Sequence, residues 1–370
     1  MSTLGIKRCN SYKNQEVSDA FNAAAASFDK EKIKGKKIAI YFDFPTPNAT
    51  ILKETIHFLK INGASEITVG ASIFVDKLPE EIVNLLKKEN IQFVDFRKNS
   101  YERLDVQRME EKSPEHFRGF AMLSPIQYST EKQVAKMGVR GKKIIKYAFI
   151  PTTLTEANYI VPVIKMKDSP TTKIGGIVAS TLTLMPTMTR NQVLLRKLTF
   201  QFWKALLEIY SLIKDNVLFG VVDGVDAVIS NNEEINKMNV ILFSEDPLAL
   251  DSTTTVLTGH RSREIESNKI GDFMDLGSGL FDHITTYGDI FLTFRKEVKH
   301  SLRYPAKRSI RKIIPHITSE QNKLIDVVSN FCPTGAIVKE GKKYKIDKRK
   351  CTSCFFCVQL APDLFKINNN

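Results

Sequence analysis

The sequence predicts an α/β protein: a body built on a largely parallel sheet, followed by a small α+β module at the C-terminus. Three observations carry the prediction. Short apolar runs alternate with segments of helical period through the first hundred residues, joined by short links, as right-handed crossovers require. Further strand-like runs recur as far as residue 294. The composition then changes. Four of the five cysteines fall in the last 39 residues, and residues 295–370 hold 17 Lys and Arg against 6 Asp and Glu, a surplus of 11 in a chain of net charge +13.

The elements follow in order. Residues 16–33 read as a helix with Val17, Ala20, Phe21, Ala24 and Phe28 on one face. Ile38–Phe42 is a buried strand that Pro45 and Pro47 terminate. Asn48 caps a helix carrying Ile51, Leu52, Ile56 and Leu59 and ending at Gly63. A strand at 66–69, a helix at 79–88 and a strand at 92–96 complete the first series. Residues 100–145 are charged and without period, an insertion or a lid. Residues 158–163 are strand-like, and 168–189, rich in Thr, Pro and Gly, read as a long loop. Residues 192–214 form the clearest helix, with Val193, Phe200, Trp203, Leu207, Tyr210 and Ile213 along a buried stripe. Strands at 218–222 and 240–243, a helix at 247–257 with Asp246 as N-cap and Pro247 at N1, and a strand at 289–294 close the body. The domain boundaries are 1–295 for the body, 296–317 for a basic linker and 318–370 for the module.

The module carries the strongest chemical signal. Cys351, Cys354 and Cys357 form a C-x2-C-x2-C run, and Cys332 stands upstream before Pro333. Three thiolates on one loop with a fourth before a proline is an iron–sulfur pattern. Four thiolates also suit zinc, but zinc sites usually pair C-x2-C knuckles. The positions that would complete a second run hold Asn322, Ile325 and Val328, and Ala361-Pro362 stands where its partner Cys-Pro would be. Residues 318–370 thus resemble a bacterial ferredoxin reduced to one cluster. That resemblance implies one [4Fe–4S] cluster bound by Cys332, Cys351, Cys354 and Cys357. Cys9 reads as an incidental thiol near a loose terminus.

No apolar run is long enough to span a bilayer, and Met1–Asn14 has no secretory h-region, so a reducing cytoplasm is expected. The basic surplus belongs to the linker and module. Three readings stay open for it: a solvated face, a surface that steers an acidic electron-transfer protein to the cluster, and nucleic-acid binding. The last lacks a recognition motif and interleaved aromatics, so nucleic acid is the least favoured partner.

Within the body, Lys36–Ile40, Asn62–Val69, Leu154–Lys165, Val221–Gly224, Ser244–Asp251 and Leu276–Gly279 occur in the order found in the DUF362 family, which the chain resembles over about residues 16–295. Where that family often has Lys-x-His, this chain has Lys165-Met166-Lys167. The resemblance implies an α/β architecture and leaves the activity open. In an open α/β sheet, ligands bind beyond the carboxyl ends of the strands. Lys165, Asp223 and Asp246 each follow an expected strand, and Asp251 lies a turn into the next helix. A lysine among carboxylates suits a small anionic ligand or acid/base work, so Lys165, Asp223 and Asp251 are the catalytic candidates. Asp246 reads better as a cap, Asp223-Gly224 equally well as a turn. The six histidines show no metal-ligand spacing, and no dinucleotide, Walker or nucleophile-elbow motif is present. The expected function is a redox protein whose cluster relays single electrons to or from the body or a partner. A non-catalytic carrier, an assembly factor and a binding module with a structural cluster are the alternatives.

Overall fold

A computed structural model describes residues 2–72, 78–106, 145–169, 172–186, 190, 193, 200–228, 235–290, 314–318, 323–330, 332, 335–341, 343–351, 357, 361 and 364–366. The chain divides into two compact units. The first is Met1–Leu184 with Trp203–Leu302, the second Met185–Phe202 with Arg303–Asn370.

The first unit is an α/β fold on a mostly parallel sheet. Its strands are β1 (Ser2–Arg8), β2 (Lys37–Tyr41), β3 (Glu66–Ala71), β4 (Gln92–Asp95), β5 (Tyr101–Asp105), β6 (Tyr147–Pro151), β7 (Tyr159–Ser169), β8 (Lys173–Ile174), β9 (Gly220–Val228), β10 (Ile235–Ser244) and β11 (Ile284–Gly288). The spatial order is β11-β1-β10-β9-β7-β2-β3-β4, with β8 paired to the end of β7 and β5–β6 forming a separate hairpin. Pairing is parallel from β9 through β7, β2 and β3 to β4. β10 runs antiparallel to both its neighbours, and β1 pairs parallel with β11. The chain moves outward from β2 to β4, then returns to the other flank of β2 with β7 and continues to β9. That reversal puts a topological switch point between β2 and β7, where an open α/β sheet opens a crevice at its carboxyl edge.

Helices Asn14–Ala24 and Ala49–Ile61 cover one face. Their apolar residues meet the sheet in an aromatic cluster of Phe21, Phe28, Phe58, Phe219 and Phe243, in which Phe219 and Phe243 stack with centroids 4.6 Å apart. Asn48 caps the second helix through the Thr50 N–H, and Asp246 caps Pro247–Leu257 through Leu248 and Ala249, as their residue types require.

Several expectations are corrected. The N-terminus is not loose: β1 lies between β10 and β11, Leu4, Ile6 and Cys9 are fully buried, and burial pushes the Cys9 thiol up to about 11. The first helix stops at Ala24, and Lys30–Ile33 is a separate 3-10 turn capped by Asp29. The strand expected at 218–222 continues to Val228, so Asp223-Gly224 is strand interior, not a turn. Gly224 is required there by close packing, since a Cβ would lie 2.7 Å from Val240 Cγ1. The long loop expected at 168–189 instead holds the end of β7, β8 and a helix over Ile177–Leu184. Of the helix expected at 192–214, Val193 and Phe200–Tyr210 are helical, Ile213 lies in the turn beyond, and residues 192 and 194–199 lie outside the described residues. Its buried side is no stripe, because Lys204 and Glu208 are buried too. The last strand is Ile284–Gly288, and residues 291–294 lie outside the described residues. The segment expected as an insertion begins and ends in the β5–β6 hairpin, and residues 107–144 lie outside the described residues.

The second unit has its own small core. His316–Ile317 pairs antiparallel with Phe365–Lys366, and Ile337–Glu340 with Lys343–Ile346. Helix Lys323–Asn330 contributes Ile325 and Val328 to a cluster with Ile337, Tyr344, Ala361, Leu364 and Phe365. Gly341, at φ +63°, makes the tight turn of the hairpin.

Candidate functional sites

The switch point gathers buried charge. Lys165 and Lys167, on β7, are only 7% and 8% exposed, and Asp223, on the neighbouring β9, is fully buried. Lys165 Nζ donates to Asp223 Oδ2 at 2.9 Å and to Tyr12 Oη at 2.5 Å. Tyr12 in turn donates to Asp223 Oδ1 at 3.0 Å and accepts the Asp226 N–H at 3.0 Å. Asp223 also accepts the Asn48 N–H at 2.9 Å, which ties the start of helix Ala49–Ile61 to the ion pair. Lys167 Nζ donates to Asp43 Oδ2 at 2.6 Å and to the Phe44 carbonyl. The loop that leaves β2 is therefore held at Asp43–Phe44 by Lys167 and at Asn48 by Asp223.

Local strand geometry makes this possible. The β7–β9 register shifts between Lys165 and Lys167: Lys165 faces Asp223, but Lys167 faces Val228. Bulges of this kind re-aim side chains and recur beside functional sites. Burial and the Asp223 charge push the Tyr12 hydroxyl far above its usual range, so it stays protonated and donates.

Asp251 sits elsewhere. Its two oxygens accept the N–H groups of Ile177 and Val178 at 2.6 and 2.9 Å, which caps helix Ile177–Leu184 from a residue more than seventy positions away. Gly176 is required by that approach, because a Cβ would lie 2.2 Å from Asp251 Oδ1. Burial raises the Asp251 carboxyl to about 7. Of the three sequence candidates, the structure thus joins Lys165 to Asp223 directly and gives Asp251 a capping contact. Tyr12, Asp43 and Lys167 are partners that sequence reasoning did not name as site residues. Only Lys167 had a visible signal, its two-residue spacing from Lys165 along a strand.

Asp246, beyond its cap, accepts the Ser278 N–H at 2.7 Å and the Ser2 hydroxyl. It lines a cleft of about 450 Å³ with Tyr210, Asp272, Asp275 and His283. His283, for which the sequence showed no partner, meets Asp272 at 3.1 Å through Nδ1.

In the second unit, Cys332, Cys351 and Cys357 are described and Cys354 lies outside the described residues. Cys332 and Cys357 both pack on the small core. A run of hydrogen bonds connects Cys332 to Cys351: Ala336 N–H donates to Cys332 Sγ at 3.2 Å, Asp347 N–H to the Ala336 carbonyl at 2.7 Å, and Cys351 N–H to the Asp347 carbonyl at 2.9 Å. Two cysteines nineteen residues apart are thereby brought to one end of the hairpin. Ile325, Val328 and Ala361, standing where a second cluster would need cysteines, are buried core residues. Lys343, Lys345, Lys348, Arg349 and Lys350 are exposed along the hairpin and the turn before Cys351. The upstream basic group, 295–312, lies outside the described residues. Among the described residues, no group of three or more His, Cys, Asp or Glu is arranged to hold a metal ion, and no helix is long and apolar enough to cross a membrane.

Residues 43–255 match the family described as Domain of unknown function (DUF362). Curated proteins provide no match. Among solved structures the chain is similar to the lactate racemase apoprotein from Thermoanaerobacterium thermosaccharolyticum, at 14% identity and a TM-score of 0.41. The similarity covers 70% of this chain but only 57% of that one.

Proposed function

This chain belongs to the DUF362 family, and we propose that it is an iron–sulfur redox protein. Its C-terminal residues 318–370 form a ferredoxin-like module in which Cys332, Cys351, Cys354 and Cys357 hold one [4Fe–4S] cluster. The observation that carries the reading is the spacing of these four cysteines, three on one loop and one before a proline. The structural surroundings suit such a group. Cys332 Sγ accepts a backbone N–H, the kind of contact that favours a thiolate and tunes a cluster. Cys332 and Cys351 are tied together through Ala336 and Asp347. Three of the positions that would serve a second cluster, Ile325, Val328 and Ala361, are occupied by apolar core.

When bound, the cluster would supply one-electron transfer, to or from a site of the first unit or a partner protein. The chain's own residues would hold it, shield it with the Ile325–Phe365 core and set its surroundings. The exposed lysines next to Cys351 would favour the more negative, reduced state and attract an acidic electron-transfer protein. Availability of four thiolates argues for a reducing cytoplasm. Anaerobic redox titration of the full chain tests the role: a reversible one-electron couple is expected. A cluster that resists reduction until the protein unfolds would assign it a structural role instead.

A further inference from the structure

We infer that the switch point of the first unit, at the carboxyl ends of β2 and β7, is a binding site for a small monocarboxylate held by Lys165 and Lys167. An ammonium has three N–H donors. Lys165 directs two of them to Tyr12 and Asp223, and Lys167 two to Asp43 and the Phe44 carbonyl. One N–H on each therefore has no partner among the described residues, although the two side chains are only 9% and 10% exposed. A buried donor without an acceptor is costly, and a carboxylate, with two acceptor oxygens, could meet both.

Three further features agree. The lysines lie at the carboxyl edge beside the β2–β7 reversal, where open α/β sheets take ligands. The register shift that re-aims them falls between these two residues. Gly175, just beyond β8, lies against the Lys167 stem, where a Cβ would come within 2.4 Å, so the backbone there packs closely on that lysine. The local charge selects the class. Lys165 and Lys167 are balanced by Asp223 and Asp43, so the site starts neutral. A monoanion leaves one uncompensated negative charge among these buried groups and a phosphate dianion two, so the singly charged ligand is the less costly of the two. The inference concerns the first unit alone and does not depend on the cluster.

The test is ligand-observed NMR on the full chain with acetate and glycolate as probes, phosphate as competitor and chloride at matched ionic strength. A saturable carboxylate signal that chloride does not displace is expected. In the Lys167→Met/Asp43→Asn variant, which removes both charges together, affinity should fall about tenfold or more. Lys167→Gln should show the same loss if the double variant folds poorly, and Lys167→Arg should retain binding. No saturable signal, equal affinity in the Lys167 variants, or preferential phosphate binding would overturn the inference.

Discussion

Replacing Asp223 by Asn tests the energetic reading of the switch point. The carboxylate is fully buried and accepts from Lys165 Nζ, Tyr12 Oη and the Asn48 and Val225 N–H groups. The amide keeps the shape but removes the charge facing a lysine that is 7% exposed. Breaking one partner of a buried ion pair costs about 3–5 kcal/mol, because the remaining charge is left uncompensated. The new NH2 also turns one acceptor into a donor facing existing donors, which adds about 1–3 kcal/mol unless Lys165 loses its proton. A net loss of about 4 kcal/mol is expected. Lys165→Met should cost a similar amount, and the double variant little more than either alone, a coupling of about 3 kcal/mol in a double-mutant cycle. Urea unfolding followed by fluorescence reads this directly, since Trp203 is the single tryptophan and lies in helix Phe200–Tyr210. A loss below about 1 kcal/mol for Asp223→Asn, or an additive cycle, would refute the argument that these charges depend on each other.

Other expectations follow from the same contacts. Asp251 is protonated more readily folded than unfolded, its carboxyl rising from 3.8 to about 7. Its stabilising contribution should thus be complete below about pH 4 and disappear as pH rises through 7, a change on the order of 4 kcal/mol. Wild type compared with Asp251→Asn by denaturant titration at pH 5 and pH 8 should show that decline, and a pH-independent difference would contradict it. Gly176→Ala should destabilise by about 2 kcal/mol or more, since its Cβ would overlap the Asp251 carboxylate; an unchanged melting temperature would show that the cap can shift. Serine at Cys332, Cys351, Cys354 or Cys357 should abolish or weaken the brown chromophore, whereas Cys9→Ser should leave the absorbance intact while lowering stability, because Cys9 is core. Full colour in the Cys332 variant would remove it from the proposed ligand set.

Local signals were readable where the chain supplies its own partners. Asn48 and Asp246 announce their helices because the caps sit beside them in sequence. The β2–β4 series was legible from apolar runs and short links, and it fixed the edge on which Lys165 would lie. Helix Ile177–Leu184 was not, because its N-terminal N–H groups are met by Asp251, far along the chain, and Gly175-Gly176 looked like loop composition. β1 was missed for a similar reason: Ser2–Arg8 has few apolar residues and becomes a strand only through its two neighbours. Asp223 reads equally well as a turn residue, because Asp-Gly usually is one, yet its glycine answers to Val240 and Met166 across the sheet. The site followed the same division. Lys165 and Asp223 could be named from position, but Tyr12 and Asp43 reach them only through tertiary folding.

Iron and acid-labile sulfide analysis of anaerobically prepared protein, with electron paramagnetic resonance before and after reduction, tests the central claim most directly. About four iron and four sulfide per chain are expected, silent as oxidised and giving a one-electron signal on reduction. Stoichiometric zinc in their place, or protein that binds no metal, would contradict it.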